Sequence, residues 1–230
     1  MNLALIIPVV QTEMAHDLLK QIKSGIYQPD QVVIIDNSAH GFIGPIHGTQ
    51  QIRPDKPPLP VNASWELGIS HLRSDITIVG VLNDDIVVTN CFLSKTMEVF
   101  DTQINCGVAI PRDSTEEEVR NHNTASQLNR IHKTKKRSGW AFFIKRSVLN
   151  KIPLIPTQLT NFFGDAWFFD NALKEGSYRL HMVDNPVYHY GGVTLKQSPL
   201  RPLRLQRNRE RHIYRKILKE ARTCPIQART

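Results

Sequence analysis

Two short apolar runs, Leu3-Ala-Leu-Ile-Ile-Pro-Val9 and Gln31-Val-Val-Ile-Ile-Asp36, flank a stretch in which Met14, Leu18, Leu19 and Ile22 recur at helical spacing. Strand, helix and strand in such quick succession form a βαβ unit, and its crossover returns the second strand parallel to the first. A third run, from Ile76 to Leu82, is apolar throughout and rich in β-branched residues, as a central strand buried on both faces must be. Asp36 closes the second run, and Asn83-Asp-Asp85 follows the third. In open α/β sheets the carboxyl ends of the strands form the ligand crevice. The chain is therefore expected to be an α/β domain with a mostly parallel sheet flanked by helices, and with its chemistry at that edge.

The remaining elements fit this plan. Gly41–Pro60 is rich in Pro and Gly and reads as irregular, with one short strand at Gly48–Ile52. Helices are expected at Ala63–Leu72 and Asn90–Phe100, and strands at Cys106–Pro111 and Ala141–Ile144. Asp113–Lys136 is polar, acids first and bases last, and reads either as a lid that orders on ligand binding or as a solvated helix. A helix from Asp165 to Glu175 stops at Gly176. Two short strands follow, Arg179–Val183 and Val187–Tyr190, and then a helix at Leu205–Arg222 after Pro199 and Pro202.

The 230 residues allow one full α/β core and a short appendage. The net charge of +8 is unevenly placed: residues 1–195 hold 18 basic and 19 acidic side chains, residues 196–230 hold 11 and 2. The expected organisation is a near-neutral α/β domain, 1–195, and a basic helical extension, 196–230. Such a tail favours an anionic partner, either a polynucleotide or a membrane surface contacted peripherally. No apolar stretch is long enough to span a bilayer, and the first residues read as a core strand rather than a signal peptide. Cys91, Cys106 and Cys224 lack metal-type spacing, which suits free thiols in a reducing cytoplasm.

Adjacent carboxylates repel unless they are solvated or share a cation. Asp84 and Asp85 at a strand end suit Mg²⁺ or Mn²⁺, which need only one or two protein carboxylates beside phosphate oxygens. A turn after a strand also favours Asn and Asp. The wider pattern carries more weight. Leu3–Val9, Val32–Asn37, Trp65-Glu-Leu-Gly-Ile69 with Asn83-Asp-Asp-Ile86, and Gly164-Asp165 with Gly176 and then His189-Tyr-Gly-Gly-Val-Thr194 occur in a fixed order. In this order the chain resembles the GT-A, family-2-like glycosyltransferases, which have a Rossmann-like sheet and use nucleotide-sugar donors. The resemblance covers residues 3 to 195.

That resemblance implies a transfer from a nucleotide sugar, with a UDP-sugar the first choice, to an acceptor hydroxyl. It makes Asp85 the direct metal ligand, with Asp84 on the ion, its waters or the ribose, and His189 on the metal or the diphosphate. Asp165 is the implied general base of an inverting reaction, and its place at a helix start should keep it ionised. A helix cap is the other role an Asp fills there. Pro8, Val9 and Asp36 are candidates for the nucleotide base, with Asp36 accepting from the N3–H of a uracil. Asn83 stands where other members carry an acid, and Thr194 can donate to phosphate. Trp65 is a candidate to stack near the donor, and Trp140, Phe142 and Trp167–Phe169 to form an acceptor platform. Aromatics on core elements otherwise simply pack. Glu66 replaces the Asn of the resembling pattern, and Gly164 the usual preceding acid.

Two other classes compete. A nucleotidyltransferase also joins a strand-end carboxylate to a metal, but Pro8-Val-Val-Gln-Thr12 lacks the glycine and the base of its phosphate loop. A non-catalytic nucleic-acid-binding module explains the basic tail and leaves the carboxylates at a buried strand unexplained. Within the transferase reading the tail favours a hydroxylated base in DNA as acceptor, the alternative being a lipid-linked or cell-surface saccharide.

Overall fold

The computed structural model describes residues 1–41, 48–122, 131–174, 176–191 and 200–220. The βαβ unit is as expected: β1 (Leu3–Val9), α1 (Thr12–Lys23) and β2 (Gln31–Asp36), with the strands parallel and Val9 level with Asp36. β3 (Gln50–Ile52) adds to the far side of β2, and β4 (Ile78–Leu82) lies parallel to β1 on the near side. Helix α2 (Val61–Ser70) joins these two strands. After β4 come β5 (Ile86–Val87), α3 (Phe92–Thr102), β6 (Cys106–Asp113), α4 (Glu116–Arg120), β7 (Ile131–Lys133), β8 (Ala141–Lys145), α5 (Arg146–Leu149), α6 (Gly164–Lys174), β9 (Arg179–His189) and α7 (Leu200–Glu220). The strand order is β3-β2-β1-β4-β8-β6-β9-β5, with β7 pairing β9. β8 runs antiparallel between β4 and β6, so the sheet is mixed but mostly parallel.

Side chains alternate across the sheet, and both faces are covered. Leu3, Leu5, Ile7 and Val9 join α1 and α3 in one core, whereas Ala4 and Ile6 join α2 and α6 in the other. Each aliphatic side chain so enclosed contributes about 1.5–3 kcal/mol relative to exposure, which is why the β-branched runs settle in the centre. Phe142, Trp167, Phe168 and Phe169 are fully buried in the second core. They form no acceptor platform, because packing against the sheet takes their surface.

Residues 179–190 differ from the expected pair of short strands. Arg179–His189 form the single strand β9, in which Pro111 pairs with Val183 but the next residue, Arg112, pairs with Pro186. The extra residues Asp184 and Asn185 bulge out, and Asn185, fully buried, accepts from the Thr89 hydroxyl and donates to the Phe92 carbonyl. A bulge is where a strand tolerates a proline that cannot donate. The polar 113–136 segment holds α4 and β7, while residues 123–130 of the expected lid lie outside the described residues. Cys91 and Cys106 are buried free thiols, and burial pushes Cys106 up to about 12. Among the described residues no helix is long and apolar enough to cross a membrane.

Helix α7 packs on the body rather than standing apart from it. Tyr214 is buried, and Ile213, Ile217 and Leu218 pack against the second core. Its basic side chains Arg204, Arg207, Arg209, Arg215, Lys216 and Lys219 face outward.

Candidate active site

Because β1, β2, β4, β6 and β9 point the same way and β8 the opposite way, one edge gathers several polar residues. It holds the ends of β1, β2, β4 and β9 and the start of β8. Pro8, Val9, Asp36, Asn83, Asp84, Asp85, Trp140 and His189 therefore share it.

The two carboxylates after β4 do different things. Oδ2 of Asp84 accepts from the backbone N–H groups of Val10 (2.7 Å) and Gln11 (2.8 Å), which ties the end of β4 to the turn after β1. Burial pushes Asp84 up to about 6, against the pull of those two N–H groups and helped by the neighbouring Asp85 charge. Asp85 has different partners. The two-residue strand β5 pairs Ile86 with His189, and the Tyr190 N–H donates to the Asp85 carbonyl (3.0 Å). His189 Nε2 thereby stands 3.1 Å from Asp85 Oδ1, without the alignment of a hydrogen bond. Both atoms are enclosed and lack a hydrogen-bond partner. Orphaned buried polar atoms are rare, and a nitrogen and an oxygen this close together suit a divalent cation. Among the described residues no group of three or more His, Cys, Asp or Glu gathers in this way.

The segment 138–140, which leads into β8, links this pair to Asp165. The Trp140 carbonyl accepts from the Asn83 N–H (2.8 Å), and the Trp140 indole stacks on the His189 ring at 5.4 Å and 18°. One residue earlier, a Cβ on Gly139 would lie 3.2 Å from both Cγ and Oδ2 of Asp165. Asp165 is the second residue of α6 rather than its cap. Burial raises its pKa, outweighing the Ala166 N–H and the Arg137 guanidinium that favour the charged form. The helix start was expected to keep this carboxyl ionised, and burial works against that as the larger effect. Gly164 is equally constrained: a Cβ there would meet Asn62 Oδ1 at 2.1 Å and the Trp65 ring at 2.8 Å. No acid fits at that position in this chain.

The residues expected around a nucleotide are placed unevenly. Val9 is fully buried, so only its backbone is offered, while Pro8 is half-buried. Asp36 already accepts from the Ser38 N–H (3.0 Å) and hydroxyl on Oδ1 and from Arg53 on Oδ2 (2.7 Å). Arg53 escaped the sequence reading because it lies in a Pro-rich stretch without periodicity. Trp65 belongs to the core, stacked on Phe168 (6.1 Å, 30°) and edge-on to Phe142 (5.5 Å), so it forms no stacking surface for a donor. Glu66 accepts from the Ile155 N–H (2.8 Å), a fold-holding bond. Asn62, in a glycosylation-type sequence, is buried and donates to the carbonyls of Leu159 and Phe162. Thr194 lies outside the described residues.

The raised pKa of Asp84 predicts a pH effect on stability. A carboxyl whose folded pKa exceeds its unfolded value binds more protons when folded, so stability is present below the unfolded value near 4 and falls as pH rises through about 6. The shift corresponds to roughly 3 kcal/mol. His181, buried with its pKa lowered, acts oppositely as pH falls through the unfolded histidine value. The comparison is therefore between the parent and Asp84→Asn, in chelator. The two should unfold alike near pH 4, and the variant should gain relative to the parent toward pH 8. A difference independent of pH would show that the Asp84 charge is not what is being destabilised.

The architecture is a Rossmann-like α/β domain with its polar residues gathered at the carboxyl edge of a mixed sheet. No family model matches the sequence, and no curated protein matches it. Among solved structures the chain is similar to S. aureus TarS 1–349 in complex with UDP-GlcNAc, with 11% identity and a TM-score of 0.60, covering 86% of this chain and 62% of that one. A second structure of TarS 1–349 gives 11% identity, a TM-score of 0.55 and coverage of 83% and 58%. A mycobacterial protein gives 11% identity, a TM-score of 0.59 and coverage of 88% and 70%. The chain thus spans about three-fifths of the TarS fragment. At this identity the likeness is one of fold.

Proposed function

We propose that the chain is a GT-A-type glycosyltransferase that moves a sugar from a UDP-sugar to an acceptor hydroxyl with inversion. The observation that carries this reading is the 138–140 segment, which neighbours Asp165 at Gly139 and His189 at Trp140. Inversion needs a base on the face of the sugar opposite the leaving diphosphate. The acceptor oxygen attacks the anomeric carbon, the Asp165 carboxylate takes the hydroxyl proton, and the bond to the diphosphate breaks with its electron pair leaving on UDP. A carboxyl of raised pKa is a stronger base at neutral pH than an exposed one. Asp85 Oδ1 and His189 Nε2 would hold Mn²⁺ or Mg²⁺, which when bound supplies positive charge to the departing diphosphate. Asp84 braces the turn at Val10 and Gln11, against which the nucleotide would rest. The Asp36–Arg53 pair offers a guanidinium edge where the sequence suggested a free carboxylate. The UDP-GlcNAc complex of a protein of this fold supports the donor class.

For the acceptor, a saccharide is the better supported choice. The DNA reading drew on the positive charge of the tail alone, and no other feature of the described residues supports it. A transfer assay with labelled UDP-sugars and Mn²⁺ tests both, using a lipid-linked saccharide, hydroxymethylated DNA and plain DNA as acceptors. Label should pass to the saccharide. Label in hydroxymethylated DNA alone would reverse the acceptor assignment, and neither hydrolysis nor transfer with any donor would remove the transferase reading.

A further inference from the structure

Away from the edge residues, one carboxylate is buried in a way the chemistry above does not use. Glu210, midway along α7, is 2% exposed. Its Oε2 accepts from three consecutive backbone N–H groups, those of Thr160 (3.1 Å), Asn161 (3.2 Å) and Phe162 (2.9 Å). Its Oε1 accepts from the Thr160 hydroxyl (2.6 Å) and the Gln206 amide (2.9 Å). Successive N–H groups converging on an anion make a concave nest, and bonds to a charged acceptor are about twice as strong as neutral ones. Asn62 holds the same segment from the other side through the carbonyls of Leu159 and Phe162.

The next residues are Phe163, Gly164 and Asp165. Phe163 has a φ of 63°, a region that a bulky side chain enters only when its surroundings impose it. The surroundings include Tyr214 of α7, whose ring stacks on Phe163 at 5.4 Å and 18°. The Tyr214 hydroxyl donates to Asp170, further along α6, which also pairs with Arg137. Helix α7 thus grips the approach to Asp165 at the backbone, at the strained residue and on α6 itself.

We propose that α7 is a brace for the candidate base, with Glu210 as the positioning residue that fixes 160–162 and, through Phe163 and Gly164, the Asp165 carboxylate. The proposal rests on the reading of Asp165 as base. Glu210→Gln keeps the shape but puts an amide N–H₂ among N–H donors, and Tyr214→Phe keeps the stack but removes the bond to Asp170. Backbone hydrogen exchange, UDP binding and steady-state transfer are measured on the full chain. In Glu210→Gln the amides of 160–162 and 165–166 should exchange about tenfold faster or more, the scale of one lost bond to a charged group, with β1 and β4 unchanged. UDP affinity and donor KM should hold within about twofold while kcat falls about tenfold. Tyr214→Phe should show the same pattern to a smaller extent, and it carries the test if Glu210→Gln does not fold. Unchanged exchange at 160–166, or faster exchange with kcat unaltered, would overturn the brace. Faster exchange in a chain whose parent transfers no sugar would support the brace and remove the base assignment instead.

Discussion

Asp165→Asn is expected to bind UDP as the parent does and to turn over a UDP-sugar more slowly by a factor on the order of 10² or more, the usual scale for a general base. The amide keeps the shape of the carboxylate beside Gly139 and can still accept from the Ala166 N–H. What it cannot do is take a proton. Since burial raises the Asp165 pKa, the parent should also lose kcat at a higher pH than an ordinary carboxylate as the solution is acidified. That limb should vanish in the variant. A variant of normal turnover and lower melting temperature would make Asp165 a structural helix residue and leave the site without a base.

The second large effect concerns the ion. UDP affinity, measured by calorimetry, should tighten markedly with Mn²⁺ in the parent and stay at the chelator value in Asp85→Ala. His189→Ala should behave the same way, because the two orphaned atoms are supplied one by each residue. Asp84→Asn should keep much of the metal response, since Asp84 Oδ2 is committed to Val10 and Gln11. Equal UDP affinity in metal and chelator would remove the ion from the proposal, and loss of the response only in Asp84→Asn would move it to the other carboxylate.

Much of the sheet could be read from residues, because runs such as Ile78–Leu82 are apolar on both faces and have no other stable environment. The position of Asp85 at the edge followed from the end of its strand, whereas that of His189 came from the resemblance. Pro186 hid the continuity of β9, since a proline inside a strand normally marks its end, and only the bulge at Asp184–Asn185 reconciles the two. Asp36 looked available because Arg53, its partner, comes from an aperiodic stretch after β2. In the C-terminal segment the apolar stripe of Ile213, Ile217 and Leu218 was legible, but the anchoring contacts of Glu210 and Tyr214 were not. A single Glu and a single Tyr have no pattern, and their roles depend on backbone N–H groups and a ring far away in the sequence.

The ladder between β5 and β9 is only two residues long, and it joins Asp85 to a histidine that follows nearly every other strand. Non-local pairings form late, because their loop-closure entropy must be met before the contacts reward it. The parallel half of the sheet, β3-β2-β1-β4, can be complete while Asp85 still lacks its histidine. If the Asp85–His189 pair carries the proposed activity, formation of the parallel half and completion of the site are separate events, and under mild heating the two-residue β5–β9 ladder is where that activity should disappear first while the core persists.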